Sequence, residues 1–400
     1  MIWKVNMYVL VINPARSGHL DVLLPIVIQL KKDNPDIFLQ LVYFDADQHH
    51  ALQKNKFLNE IVNMVGEAVL LKSLGKKGSI LRKFILTAQL IRYSFRMLMS
   101  KHVIFLQWKS IDNLILKFIA FIASFKGKAL TYQPMNNHYL EEMRRYFDEY
   151  GHPRTDRARK LRDRQFTKKV NTGDGALINS VDSLNYFATM GYSRFSIIGY
   201  THMYPEYINY AHEKCQMHLL EEIPINDLKN TTIFGIFANK YWGRWAGRDD
   251  NWFVDKFCEV VDCLKDIEVD PVIIVRAHPT LKTDIIEQAI KKSGYSNIYI
   301  THLHPTHIGI VSEVVIGLAE STSYHYVMGA GSPYIEYGGM QSENYKIFPE
   351  GSQFASYGTI VAVNKKELIE KLLAKDMLKK SALNYHAILK HKMDLSVFNI

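Results

Sequence analysis

The strongest constraint on this chain is a rhythm that runs twice. In the first half, seven short apolar, β-branched runs alternate with helical segments: "VNMYVLVIN", "DIFLQLVYFD", "EAVLLK", "HVIFLQW", "KALTYQP", "GALINS" and "RFSIIGY". The pattern then restarts with six more, "TTIFGIFAN", "PVIIVRAHP", "NIYITHL", "EVVIGL", "SPYIEYG" and "GTIVAV". A strand that is apolar along its whole length is buried on both faces, and helices inserted between such strands imply a parallel sheet covered on both sides. The chain has 400 residues, more than one hydrophobic core usually serves. Two α/β domains are therefore expected. The first spans 1–210 and the second 231–400, with the polar, strand-poor piece 211–230 as linker.

Composition narrows the class. Apolar residues make up 48% and charged residues 22%, an ordinary globular balance. Cys215, Cys258 and Cys263 are too scattered for a disulfide framework or a zinc site, which suits a reducing compartment. No metal-ligand spacing is visible, and neither a metal nor an organic cofactor is expected. The opening "MIWKVNMYVLVINP" reads as a strand, not a signal peptide. The oily "ILKFIAFIASF" falls short of the roughly 18–20 residues that span a bilayer.

The net charge of +9 is unevenly placed. From Lys72 to Lys128 there are twelve Lys or Arg and one acid, Asp112, interleaved with Leu, Ile, Phe and Tyr. Such a cationic, amphipathic segment suits an anionic membrane surface, and equally the solvated helix face of a basic protein. No nucleic-acid motif accompanies it, so nucleic acid is not an expected partner.

In open α/β sheets ligands bind beyond the carboxyl ends of strands. One strand end reads "RAHPT": Arg276 and His278 are two apart and share a face of the extended chain, and Pro279 stops further pairing. Arginine offers fixed donors to phosphate, and histidine can donate a hydrogen bond or a proton. A strand-end histidine that only caps loop backbone is the competing reading. A second strand end reads "ESTS": Glu320, Ser321, Thr322 and Ser323 precede a helix, where hydroxyls and backbone N–H groups form an anion site. Ordinary N-capping needs only one of these hydroxyls. A third segment, "NKYWGRWAGRDD", brings Lys240, Arg244 and Arg248 after a strand and suits a donor pyrophosphate or base, or a solvated basic loop. The second His-Pro-Thr, at 304–306, reads as a loop with a nucleotide-base contact.

Together "RAHP" (276–279) and "ESTS" (320–323) resemble the HP and serine motifs of the bacterial polysialyltransferases and sialyltransferases. They resemble equally the CDP-glycerol glycerophosphotransferases of teichoic acid synthesis. The likeness covers roughly 230–340, while the first half looks like GT-B acceptor domains in general. It implies the GT-B plan, two Rossmann-like domains facing a central cleft, with the donor phosphate held by His278, Ser321 and Thr322. Met328 stands where retaining GT-B enzymes carry a second glutamate after Glu320, which leans toward inversion. Inversion needs a base. "RSGHLD" offers His19 or Asp21, Asp21 being also a plausible helix N-cap, and "TGDGAL" offers Asp174, where a plain turn would also serve.

The expectation is a cytoplasmic glycosyltransferase docked peripherally on the inner face of the cell membrane. Its partners would be a nucleotide-sugar donor and a glycan or lipid-linked glycan acceptor of the bacterial surface. A nucleotide-sugar 2-epimerase of the same plan is the nearest alternative, and a non-catalytic glycan- or membrane-binding protein the next.

Overall fold

The computed structural model describes residues 6–71, 80–132, 170–180, 191–225, 230–239, 248–278, 281–319, 321–339 and 349–398, together with 184, 187 and 188, and apart from 13, 15, 16, 109, 353 and 390–392. The chain divides into two units, 1–207 with 391–400, and 208–390.

The first unit carries β1 (Met7–Ile12), α1 (Ser17–Asp33), β2 (Ile37–Tyr43), α2 (Ala46–Lys54), α3 (Lys56–Val65), β3 (Gly66–Leu70), α4 (Ile80–Met99), β4 (His102–Trp108), α5 (Leu114–Lys126), β5 (Gly127–Tyr132), β6 (Gly175–Ile178) and β7 (Phe195–Ile197). Its strands lie in the order β3-β2-β1-β4-β5-β6-β7, and every described pairing is parallel. The apolar runs have the composition the fold needs, since all six residues of β1 are buried. On one face Tyr8, Leu10, Ile12, Val103 and Phe105 pack against Leu90, Tyr93 and Met97 of α4 and Ile119, Ala120 and Ala123 of α5. Residues after the second unit return here: Phe398 is buried, and Lys128 Nζ donates to the Val397 carbonyl at 2.6 Å.

The second unit begins within α6 (Pro205–Glu222) and continues with β8 (Ile233–Ala238), α7 (Asp250–Ile267), β9 (Val272–Ala277), α8 (Thr283–Ser293), β10 (Ile298–Thr301), α9 (Pro305–Val311), β11 (Val314–Leu318), α10 (Tyr324–Gly329), β12 (Tyr334–Tyr337), β13 (Ile360–Ala362), α11 (Lys365–Leu373) and α12 (Lys375–Ile388). The order β10-β9-β8-β11-β12-β13 is again wholly parallel. Helix α7 starts where Asp249 accepts the Trp252 N–H at 2.8 Å, and it buries Phe253, Phe257, Val260 and Leu264 over the sheet.

Two boundaries differ from the sequence expectation. Most of the supposed linker 211–230 is helix, the greater part of α6. Its buried positions Tyr207, Ala211, Cys215, His218 and Leu219 follow a helical stripe in which Leu219 is the one large aliphatic residue. The final residues, 391–400, belong with the first unit.

Candidate functional site

Each sheet reverses its strand order once, between β1 and β4 in the first unit and between β8 and β11 in the second. The carboxyl ends of the strands at such a reversal leave a crevice where α/β proteins bind ligands.

In the second unit a chain of hydrogen bonds crosses that edge. The His278 N–H donates to the Ala238 carbonyl at 2.9 Å, tying the end of β9 to the end of β8. The next residue, Asn239, is buried, and its Nδ2 donates to the Ala319 carbonyl at 2.9 Å, joining β8 to the turn after β11. Ala319 itself has φ of 64°, in the left-handed region that costs an alanine on the order of 1 kcal/mol or more. Strain of this kind collects where a backbone must turn sharply for a purpose, and here it turns β11 into the Ser321–Ser323 segment. Neighbouring parallel strands lie about 4.8 Å apart, so the ends of β9, β8 and β11 fall within about 10 Å.

Tyr334 supports this edge from below. Its ring lies over Gly317 on β11, where an added Cβ would meet the phenol oxygen at 1.8 Å, and Asn239 Nδ2 approaches that oxygen at 3.4 Å. Burial holds the phenol of Tyr334 far above its ordinary pKa, so it stays a neutral partner.

The three hydroxyls divide their tasks. Ser321 Oγ accepts the Ser323 N–H at 3.2 Å, fixing the turn. Thr322 and Ser323 are half-buried, and Ser323 sits at the cap of α10 without a side-chain capping bond. Helix α10 has only six residues, so a helix macrodipole contributes little. What remains is a turn that carries the Thr322 and Ser323 hydroxyls just after β11, the strand whose end Asn239 ties to β8. Met328 is fully buried, which leaves no carboxylate at that position.

Arg276 shares a face with His278, and its Nε donates to the Leu303 carbonyl at 3.0 Å, bracing the second His-Pro-Thr segment. That segment is a helix start, not a base-contacting loop. His304 Nδ1 accepts the Thr306 N–H at 3.2 Å, Pro305 opens α9, and His304, Thr306 and His307 are buried. His307 Nδ1 lies 3.4 Å from His218 Nδ1 of α6. Burial first, and then the neighbouring His304, His218 and His212, push the His307 imidazolium down to a pKa of about 2. Arg248 is also structural: it stacks over Trp252 at 4.0 Å and donates to the Gly338 carbonyl at 2.8 Å. Lys240, Arg244 and Glu320 lie outside the described residues.

In the first unit His19 stands in the first turn of α1, not in a loop. Its ring stacks on Trp108 at the end of β4, with centroids 3.5 Å apart and planes 21° from parallel. Trp108 in turn meets the edge of Tyr132, at the end of β5, at 5.5 Å. Residues two apart on a helix point to different sides, so Asp21 does not share the direction of His19, and within α1 it is no N-cap. Asp174 has a different location altogether. Its Oδ2 accepts the Ala129 N–H at 2.7 Å and the Ser124 hydroxyl at 2.9 Å. It stands just before β6, at the amino edge of the sheet, away from the strand ends where ligands bind. This carboxylate clamps a turn and is not placed as a base at the carboxyl edge.

Asn239, Ala319 and Trp108 carry no signal in the sequence that marks them as site residues. An asparagine after a strand is unremarkable until its partner across 80 residues is known, and a positive φ leaves no trace in an alanine.

No protein-family model and no curated protein sequence matches this chain. Solved structures do. The wall teichoic acid polymerase TagF superposes with a TM-score of 0.53 at 13% identity, over 99% of this chain and 86% of that one. A putative UDP-N-acetylglucosamine 2-epimerase from Listeria monocytogenes gives 0.51 at 14% identity, over 96% and 91%. A UGT transferase from Siraitia grosvenorii, in complex with UDP, gives 0.50 at 10% identity, over 98% of both chains. The fold is GT-B. At these identities the likeness speaks for architecture alone.

Proposed function

We propose that this chain is a nucleotide-sugar-dependent glycosyltransferase. It moves a sugar or sugar-like unit from an activated donor to a bacterial surface glycan, with inversion. The observation that carries the reading is the bonding of His278, Asn239 and the strained Ala319 across the strand-order reversal of the second GT-B unit, with Thr322 and Ser323 in the turn that follows β11. Such a cluster offers neutral and protonatable donors to a phosphate. As the glycosidic bond to the donor breaks, charge accumulates on the leaving phosphate. Donors already fixed at that position stabilise the transition state more than the ground state. His278 donates to that phosphate, and Ser321 holds the turn that presents the other hydroxyls. Lys240, Arg244 and Glu320 complete the donor site on this reading.

In the first unit His19 takes the proton of the acceptor hydroxyl. Its ring is held flat against Trp108, which leaves its orientation fixed before substrate arrives. The similarity to a teichoic acid polymerase supports a surface polymer as acceptor, and the UDP-bound similar structure supports a nucleotide donor. The protein would act in the cytoplasm, at the inner face of the membrane, where a lipid-linked glycan is presented.

Thermal-shift titration with CMP, CDP, UDP and GDP tests the donor site, because a ligand at 100 times its Kd stabilises by about 2.7 kcal/mol. One nucleotide should raise the melting temperature, and His278→Gln should abolish the rise with the melting of the free protein unchanged. No response to any nucleotide, or an undiminished response in His278→Gln, would refute the site.

The similarity to a 2-epimerase favours a second reading. Incubation with the responsive nucleotide-sugar alone separates the two: release or epimerisation of the sugar without acceptor marks the epimerase, and acceptor-dependent turnover marks the transferase.

A further inference from the structure

Helices α4 and α5 pack side by side on one face of the first sheet, and their outer surface is unlike the rest of the molecule. On α5, Leu114, Phe118, Phe121 and Phe125 are exposed, at 83%, 53%, 61% and 72%. Their spacing of four, three and four residues puts them on one stripe about 60° wide and about 16 Å long. The opposite side of the same helix, Ile119, Ala120, Ile122 and Ala123, is buried in the core. Apolar character all around a helix belongs to a helix enclosed on every side, yet the outward half of α5 is open. On α4, Ile91, Phe95, Leu98 and Met99 repeat the arrangement. Among the described residues sixteen large apolar side chains are exposed; eight are these, including every exposed phenylalanine. An apolar surface of this extent on a soluble face marks a contact site.

The charge beside it says what the contact is. Arg92, Lys101 and Lys117 are exposed around the stripe, and Asp112 is the sole acid from Lys72 to Lys128. A two-fold contact between copies of this chain would set that basic rim against itself, which like-charge repulsion opposes. An anionic lipid surface answers both features at once, since its headgroups meet the basic rim and its acyl boundary receives the phenylalanines. No described helix is long and apolar enough to cross a membrane, so the geometry is that of helices lying on the surface.

We infer that the outer face of α4 and α5 docks on an anionic bilayer, with Phe118, Phe121, Phe125 and Phe95 entering the interface and Arg92, Lys101 and Lys117 at the headgroups. This goes beyond a charged segment attracted to a membrane: it assigns apolar insertion through named side chains, and it stands whether or not the chain transfers sugars.

The test is cosedimentation of the full chain with vesicles of phosphatidylcholine and phosphatidylglycerol in roughly equal parts, against pure phosphatidylcholine. The parent binds the mixed vesicles and retains part of that binding when salt is raised. Phe121→Ser combined with Phe125→Ser weakens binding about a hundredfold, roughly tenfold for each phenylalanine withdrawn, and keeps the parent's melting temperature because both side chains are already in solvent. Arg92→Glu with Lys117→Glu weakens binding and flattens its salt dependence. Absence of the parent from the mixed-vesicle pellet, or equal binding by the double serine variant, overturns the inference. So does a lipid-free dimer, seen by analytical ultracentrifugation, that the serine variant dissolves, since the occupant would then be a second copy.

Discussion

His307 offers a prediction whose size follows from its surroundings. The ring is wholly buried at the start of α9, 3.4 Å from His218, with its pKa pushed down to about 2. In the unfolded chain the same imidazole titrates near 6.5. Between those two values the unfolded state binds a proton that the folded state refuses. Stability is therefore unaffected above about pH 7 and declines as the pH falls through 6.5, with a slope approaching 1.4 kcal/mol per unit. From pH 7 to pH 5 this one residue withdraws about 2 kcal/mol, a large fraction of the 5–15 kcal/mol that holds a typical domain together. Carboxylates also respond to acid, so the measurement is a comparison. Urea unfolding of the parent and of His307→Asn is followed at both pH values. The variant loses packing at pH 7, but its additional loss on going to pH 5 should be smaller than the parent's by about 2 kcal/mol. Parallel pH dependences in the two proteins would refute the reasoning, because the buried ring would then be protonated or absent from the balance. His325, lowered to about 3 by its own burial and bonded to the Tyr385 hydroxyl at 2.8 Å, adds a loss of the same sign.

Three further outcomes follow from the site geometry. Gly317→Ala forces a methyl into the Tyr334 phenol and should cost about 1–3 kcal/mol of stability, while weakening nucleotide binding by displacing Asn239; calorimetry and nucleotide titration would show both, and a neutral effect on either would contradict the support given to that edge. Asp174→Asn should leave sugar transfer intact, and Asp174→Ala should destabilise by about 1–3 kcal/mol through the unpaired Ala129 N–H; loss of turnover in a folded Asp174→Asn would restore it as a base. Trp108→Leu removes the surface on which His19 lies and should lower kcat at least about tenfold with the donor KM unchanged, whereas Trp108→Phe keeps most of the activity; equal rates for the two variants would deny Trp108 a positioning role.

Much of the fold is written in local chemistry. All thirteen described strands coincide with the apolar runs because a parallel strand is covered on both faces and cannot hide its composition. Helix α6 leaves a weak trace because four of the five positions of its buried stripe are tyrosine, alanine, cysteine and histidine, with Leu219 the one large aliphatic residue. The site was legible only in part. Proline after His278 advertises a strand end, and three hydroxyls in a row advertise a turn. The Asn239 bond to Ala319 and the His19 stack on Trp108 join residues 80 and 89 positions apart, and no local pattern encodes such pairings. Arg276 shows the reverse difficulty: its face was readable, but its engagement with Leu303 depended on where α9 begins.

The return of Phe398 and Val397 to the first sheet has a consequence for how the molecule is made. The Lys128 bond to Val397 closes over 269 residues, and the whole second unit lies within that span. In topological terms the second unit is an insert in the first. A ribosome delivering the chain from its amino end would therefore complete the second unit while the first still waits for its final piece. The first unit should acquire full resistance to proteolysis only after the segment around Phe398 has emerged.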